Sequence, residues 1–196
     1  GVKELILIAQ DVTTYGIDIY GKYALHELVK DLCKIEQLKW IRLMYCYEDR
    51  ITDELIQVMA EEEKVCKYLD IPIQHSEDSV LKAMKRRSTR NSIMSTVDRL
   101  RTAMPDIAIR TTLIVGFPGE TEEDFNETIS LIEQVHYDSL FTFIFSPRPG
   151  TPAASMEDPT PKEDKNRRFD KLCAVQNRIS EQIHQSYVGK TMRCLV

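Results

Sequence analysis

The residue types most able to do chemistry fall in a few short stretches. Ile114-Val115-Gly116-Phe117-Pro118-Gly119-Glu120-Thr121 is the most informative of them. Gly116 and Gly119 permit positive φ or close backbone approach, and Pro118 stiffens the turn. Backbone amides at the start of the following helix could face an anionic or polar ligand group, and a purely structural connection is the other reading. No Gly-Lys-Ser/Thr follows, so this is not a phosphate-binding Walker loop. Gln74-His75 puts an amide beside the side chain most easily tuned as an acid or base near neutral pH. No Ser, Cys or carboxylate pairs with it in the sequence pattern, which favours a hydrogen-bonding or packing role for His75. Lys82, Lys85, Arg86, Arg87 and Arg90 form one dense basic cluster, read either as a contact to RNA phosphates or an acidic protein, or as a solvated connection. Cys33, Cys46, Cys66, Cys173 and Cys194 are odd in number and widely spaced, unlike a disulfide framework, a zinc site or an iron–sulfur motif.

Behind these residues lies a regular succession of elements. Apolar or β-branched runs at Leu5–Ile8, Trp40–Tyr45, Cys66–Ile73, Ile107–Val115 and Ser139–Phe145 read as strands. Helical spacing follows each: Leu25 to Leu32, a helix opened by Thr52, Val80 to Met84 and Ile93 to Met104, a helix opened by Thr121-Glu122-Glu123-Asp124, and Lys162 to Ser186. Lys190 to Val196 reads as one more strand, cut short. Alternating strand and helix implies an α/β fold of parallel strands with right-handed crossovers. In such folds the C-terminal strand ends build the ligand site. Here those ends carry Gln10-Asp11, Tyr47-Glu48-Asp49, Gln74-His75, Gly116 to Glu120 and Ser146 to Arg148.

The 196 residues suffice for one large domain or two small ones. With 26 Lys+Arg against 31 Asp+Glu, the net charge of −5 argues against a wholly basic nucleic-acid binder. No apolar run is long enough for a membrane span, so no membrane partner is expected, and unpaired cysteines suit a reducing, cytoplasmic setting. The chain opens on Gly1 almost at once with a strand pattern, which reads as a piece of a longer protein.

Several segments together resemble the radical S-adenosylmethionine methylthiotransferases. They are Gly1-Val2-Lys3-Glu4 with Ala9-Gln10-Asp11, Tyr68-Leu69-Asp70-Ile71-Pro72-Ile73-Gln74-His75, Arg110 to Thr121, and Phe143 to Ala154. The resemblance implies a partial (β/α)6 half-barrel, units two to six, over residues 1–187, with the start of a TRAM domain over 188–196. The family's C-x-x-x-C-x-x-C and its auxiliary-cluster domain have no counterpart here. The expectation is therefore two [4Fe–4S] clusters and S-adenosylmethionine in the parent enzyme, with no cluster, no metal ligand and no catalytic residue in this chain.

Resemblance also implies that Gln10, Asp11, Gln74, Arg110, Thr112 and Gly116 line the S-adenosylmethionine pocket. Gln and Asp suit ribose hydroxyls or an adenine edge, Arg suits the methionine carboxylate, and Val115 and Phe145 read equally as adenine contacts or as plain core. Up to about Tyr137 the likeness is to the RimO branch, which modifies an aspartate of a small-subunit ribosomal protein. From Tyr137 onward it is closer to the MiaB branch, which modifies a tRNA adenosine, so a mosaic is entertained. Expected partners are the ribosomal protein (alternatively tRNA), a reductant protein, and a second copy through the exposed strand Leu5 to Ile8. A non-catalytic βα domain that binds a ligand or partner is the reading from a different class.

Overall fold

The computed structural model describes residues 1–195. Five parallel strands, β1 (Glu4–Leu7), β2 (Trp40–Leu43), β3 (Tyr68–Asp70), β4 (Ala108–Val115) and β5 (Ser139–Ile144), follow one another across the sheet in chain order. β1 pairs with β2, and β3, β4 and β5 form a second ladder. The two ladders join where Ile41 bridges Val65 and the Cys46 amide donates to the Asp70 carbonyl at 2.8 Å. A helix cannot bury its apolar face alone, so all but the short helix Ile17–Tyr20, which has no buried residue, contribute side chains to the core beside the sheet. The helices are α1 (Ile17–Tyr20), α2 (Leu25–Cys33), α3 (Asp53–Glu61), α4 (Asp78–Ala83), α5 (Arg90–Ala103), α6 (Glu122–Val135) and α7 (Lys162–Gln185).

Strand alternation decides what each face of the sheet offers. Along β4, Ile109, Thr111, Leu113 and Val115 are buried, while Ala108, Arg110, Thr112 and Ile114 between them are only half-buried. The buried set joins Leu43 and Leu69 from the sheet, and Val29, Met59, Leu100, Phe125 and Leu172 from the helices, in one core. The other face carries Ile6, Arg42, Asp70, Arg110, Thr112, Phe141 and Phe143, by register with β4. Ile6, Phe141 and Phe143 are each about half exposed, at 51%, 50% and 54%. The sheet is thus covered by helices outside and open inside.

Caps explain the helix starts. Thr52 accepts from the Leu55 amide, and Thr121 and Asp124 satisfy each other's amides in the box anticipated from sequence. Two strand expectations change. Cys66–Ile73 forms ladder only over Tyr68–Asp70, because Pro72 lacks a donor and Gln74 turns at φ 73°. Lys190 to Leu195 form no strand, and among the described residues no strand lies beside them; Val196 lies outside the described residues.

Candidate functional site

The C-terminal ends of β3, β4 and β5 meet around a cavity of 310 Å³ lined by Gln74, Lys85, Arg86, Ile114, Phe117 and Phe145, among others. Gln74 is fixed there by its backbone: its amide donates to the Thr112 carbonyl and its carbonyl accepts from the Ile114 amide, both at 2.9 Å. Thr112 stands one inward position below Ile114 on β4, and Phe145 closes the side against Phe117, ring centroids 5.2 Å apart. An amide, a hydroxyl and apolar walls on one concave surface suit a small polar ligand with an aromatic part.

Register decides between the two readings of Val115. Val115 points to the helix side and is buried in the core, so it faces away from this cavity; Ile114 takes the inward position instead. Alternation along β4 carried that signal.

Gly116 corrects one expected contact. Its amide donates to Glu120 Oε2 at 2.6 Å and the Phe117 amide to the same oxygen at 3.2 Å, so these donors meet a carboxylate of the chain itself. At φ 70°, a Cβ on Gly116 would lie 2.6 Å from the Lys165 side chain. The glycine is needed because α7 passes so close. Glu120 is fully buried and also meets Arg168 Nη1 at 3.1 Å, while Arg168 Nε reaches Glu122 at 3.2 Å. Burial pushes the Glu120 carboxyl up, opposed by Arg168 and the two amides. Glu120, Arg168 and Lys165 were not singled out from sequence; a Glu directly after Gly-Phe-Pro-Gly was the available sign.

His75 belongs to the same buried joint. The Glu77 amide donates to its Nδ1 at 3.0 Å, leaving Nε2 toward Thr128 Oγ1 at 3.4 Å and Glu120 at 3.7 Å. Burial lowers its pKa to about 4, so the ring is neutral and structural at pH 7. This is the packing and hydrogen-bonding role read from its isolation in sequence.

Gln10 is exposed just past β1, and Asp11 beside it is already engaged. Asp11 caps the following turn by accepting from the Thr13 amide at 3.0 Å, and it pairs with Arg50. Its carboxylate holds the loop in place. Arg110 lies deeper, third in β4, with Nε on Asp70 Oδ1 at 3.0 Å. The basic cluster divides: Arg86 donates to the Pro72 carbonyl and stacks on Tyr47 at 4.4 Å, and Arg90 grips the Glu127 carbonyl of α6 at 2.8 Å. Lys82, Lys85 and Arg87 remain exposed, so the five do not act as one patch.

Glu48, named from sequence among the strand-end residues, is buried and receives the hydroxyls of Ser88 at 2.7 Å and Ser92 at 2.9 Å. The thiols do not fit an iron–sulfur cluster. Cys46 is buried with its pKa pushed far up by burial, and among the described residues no three His, Cys, Asp or Glu side chains gather as metal ligands. Among the described residues, too, no helix is long and apolar enough to cross a membrane.

Comparison with known proteins agrees with this architecture. At 52% identity over all 196 residues the chain is similar to "Ribosomal protein uS12 methylthiotransferase RimO" of Citrifermentans bemidjiense, and at 47% to the protein so named in Alkaliphilus oremlandii. The match does not break at Tyr137, covering 100% of this chain but only 44% and 45% of the two relatives. The chain therefore spans less than half the length of the relatives it matches. Two solved structures share the fold alone. The coproporphyrinogen III oxidase HemN from Escherichia coli has TM-score 0.63 at 19% identity, over 78% of this chain and 36% of that one. Elp3 of Methanocaldococcus infernus has TM-score 0.56 at 14% identity, over 90% and 44%. The Radical SAM superfamily model matches residues 1–132. With two thirds of its length under that model and its strands in parallel order around an open inner face, the chain belongs to the Radical SAM superfamily.

Proposed function

We propose that this chain is the radical-domain part of a RimO-type methylthiotransferase acting on an aspartate of a small-subunit ribosomal protein. The observation that carries the reading is identity of 47–52% to proteins of that name along the whole chain. When bound with a reduced iron–sulfur cluster of the parent enzyme, S-adenosylmethionine would supply the radical chemistry that takes hydrogen from unactivated carbon. A second cluster, a reductant protein and a cytoplasmic setting belong to the same reading.

This chain's own part is to bind and orient. Gln74 and Thr112 offer a carboxamide and a hydroxyl to ribose or to an adenine edge, and Gln10 does the same from across the rim. Ile114 and Phe145 exclude water from the apolar part of the cofactor. Asp11 and Gly116 serve at one remove, the first by holding the Gln10 loop to Arg50, the second by letting α7 close behind the cavity. Fixed strand-end groups hold the reacting partners in geometry, where most of the protein's own contribution to rate lies.

The test uses the full-length enzyme with its clusters. A methylthio adduct on the ribosomal protein, found by mass spectrometry, is expected, and an adduct on tRNA alone would overturn the substrate assignment. Gln74→Ala and Gln10→Ala should each weaken S-adenosylmethionine binding by about tenfold or less, the worth of one hydrogen bond, without shifting thermal unfolding. Unchanged affinity in both would remove them from the site.

A further inference from the structure

Below the rim cavity the concave face carries a second constellation. Arg42 on β2 and Arg110 on β4 lie over the same ring, with guanidinium carbons 5.0 Å and 5.8 Å from the Tyr68 centroid. Arg110 also stacks on Phe141 at 4.8 Å. Each arginine is tethered through Nε alone, Arg42 to Glu4 at 2.7 Å and Arg110 to Asp70 at 3.0 Å. A guanidinium has five N–H donors in a planar fork. Among the described residues, the terminal nitrogens of both side chains meet no acceptor oxygen; the single contact is Arg110 Nη2 to the Met44 sulfur at 3.9 Å. Both side chains are partly open to the concave space, at 26% and 22% exposure.

The arrangement is built and held. Glu4, Arg42, Tyr68, Asp70 and Arg110 share one sheet face by strand register, and neither arginine can swing away without leaving a carboxylate partner. Asp70 is nearly fully buried, and its hydrogen bond raises the Arg110 pKa further. Two preorganised forks beside one aromatic ring match the planar, two-oxygen geometry of a carboxylate. Glu4 and Asp70 neutralise the charge of the pair but leave most of its hydrogen-bonding capacity unused.

We propose that Arg42 and Arg110, braced by Tyr68, form a carboxylate-binding site on the concave face. It receives an acidic side chain of a protein substrate; the amino-acid end of S-adenosylmethionine, which the family resemblance already implies for Arg110, is the competing outcome of the test. The existence of the site does not rest on the enzyme assignment above; only the choice between these two occupants does.

Trp40, the one tryptophan of the chain, precedes Arg42 by two positions on the same strand face and reports on the site by its fluorescence. Titration of the 196-residue chain with N-acetyl-aspartate amide should change that emission saturably, and N-acetyl-asparagine amide should do so at least tenfold more weakly. Arg42→Gln, and Arg110→Gln combined with Asp70→Asn so that no carboxylate is stranded, should each abolish the difference. An equal response to both probes, or discrimination that survives in both variants with unchanged circular dichroism, would overturn the proposal. S-adenosylmethionine and its decarboxylated form decide the occupant. Displacement of the aspartate probe only by the carboxylated form supports the cofactor end, and binding without displacement supports a substrate side chain. Failure of S-adenosylmethionine to bind the cluster-loaded full-length protein would count against the enzyme reading and leave the site standing.

Discussion

Two connections leave the same end of the sheet and have opposite characters. The turn from β4 to α6 buries Gly116, Phe117, Pro118 and Glu120, and joins its amides to Glu120 and Glu120 to Arg168. The connection from β1 to α2 is as well ordered in its backbone, with Ala24 donating to the Tyr15 carbonyl at 2.9 Å and Gly16 at φ 95°. Yet it displays Ile8, Ile17, Ile19, Tyr20 and Tyr23 to solvent. The residue types that most suggest a ligand site built a sealed joint between α6, α7 and the sheet. What is chemically available lies on the open concave face and toward β1. Glycines and charges mark close approach as readily as they mark binding, and only the fate of their hydrogen bonds separates the two.

The largest expected effect tests the sealed side. Glu120→Ala removes the carboxylate facing Arg168, whose side chain is 6% exposed, and leaves two buried amides without their acceptor. Breaking one side of a buried ion pair costs about 3–5 kcal/mol, on the order of 10 °C in a chain of this size. Glu120→Gln keeps an acceptor for the amides and should cost less. Thermal unfolding followed by circular dichroism reads both. A loss below about 1 kcal/mol would mean that Arg168 re-pairs fully with Glu122, and that the joint is not the stronger region.

A finer contrast lies inside that turn. Gly116 and Gly119 both have positive φ, 70° and 86°, but a Cβ meets Lys165 at the first and open space at the second. Gly119→Ala should cost about 1–2 kcal/mol from backbone strain alone. Gly116→Ala adds overpacking of a further 1–3 kcal/mol or so. Shortening Lys165 to Ala in the Gly116→Ala background should recover part of the excess, and no recovery in a double-mutant cycle would place the cost in the backbone.

Much of this frame was readable in advance because it rests on local patterns. The five strands, the Thr52 and Thr121 caps and the long final helix follow from alternation, helical spacing and short polar side chains at helix starts. Gln74 stood out as a strand-end residue, where parallel sheets collect ligand groups, whereas Thr112, inside β4, came only from the family resemblance. What stayed hidden depends on partners far apart in sequence. Nothing near Glu120 announces Arg168, 48 residues on, and nothing near Arg42 announces Tyr68. Between adenine contact and plain core, Val115 is core, a choice that turns on a single register step, since neighbours in a strand face opposite ways.

The smallest effect on stability, and the sharpest test of the open side, comes from β1. Ile6 is 51% exposed and Ile8 62%, and among the described residues nothing pairs with the far edge of that strand. An apolar strand with one free edge is a template for another chain. The 196-residue chain is expected to self-associate at high concentration in sedimentation velocity. Ile6→Lys with Ile8→Lys should return it to monomer, because a charge on an exposed edge opposes pairing. Each substitution should move the unfolding free energy by only about 0.5 kcal/mol, as neither side chain is in the core. A wild-type chain that sediments as a clean monomer would show that exposure at β1 carries no association. The contrast between the two ends of the sheet would then be one of packing alone. Monomerisation accompanied by a large loss of stability would instead mean that β1 is held more firmly than its exposure implies, and the open side would have to be redrawn around the concave arginines.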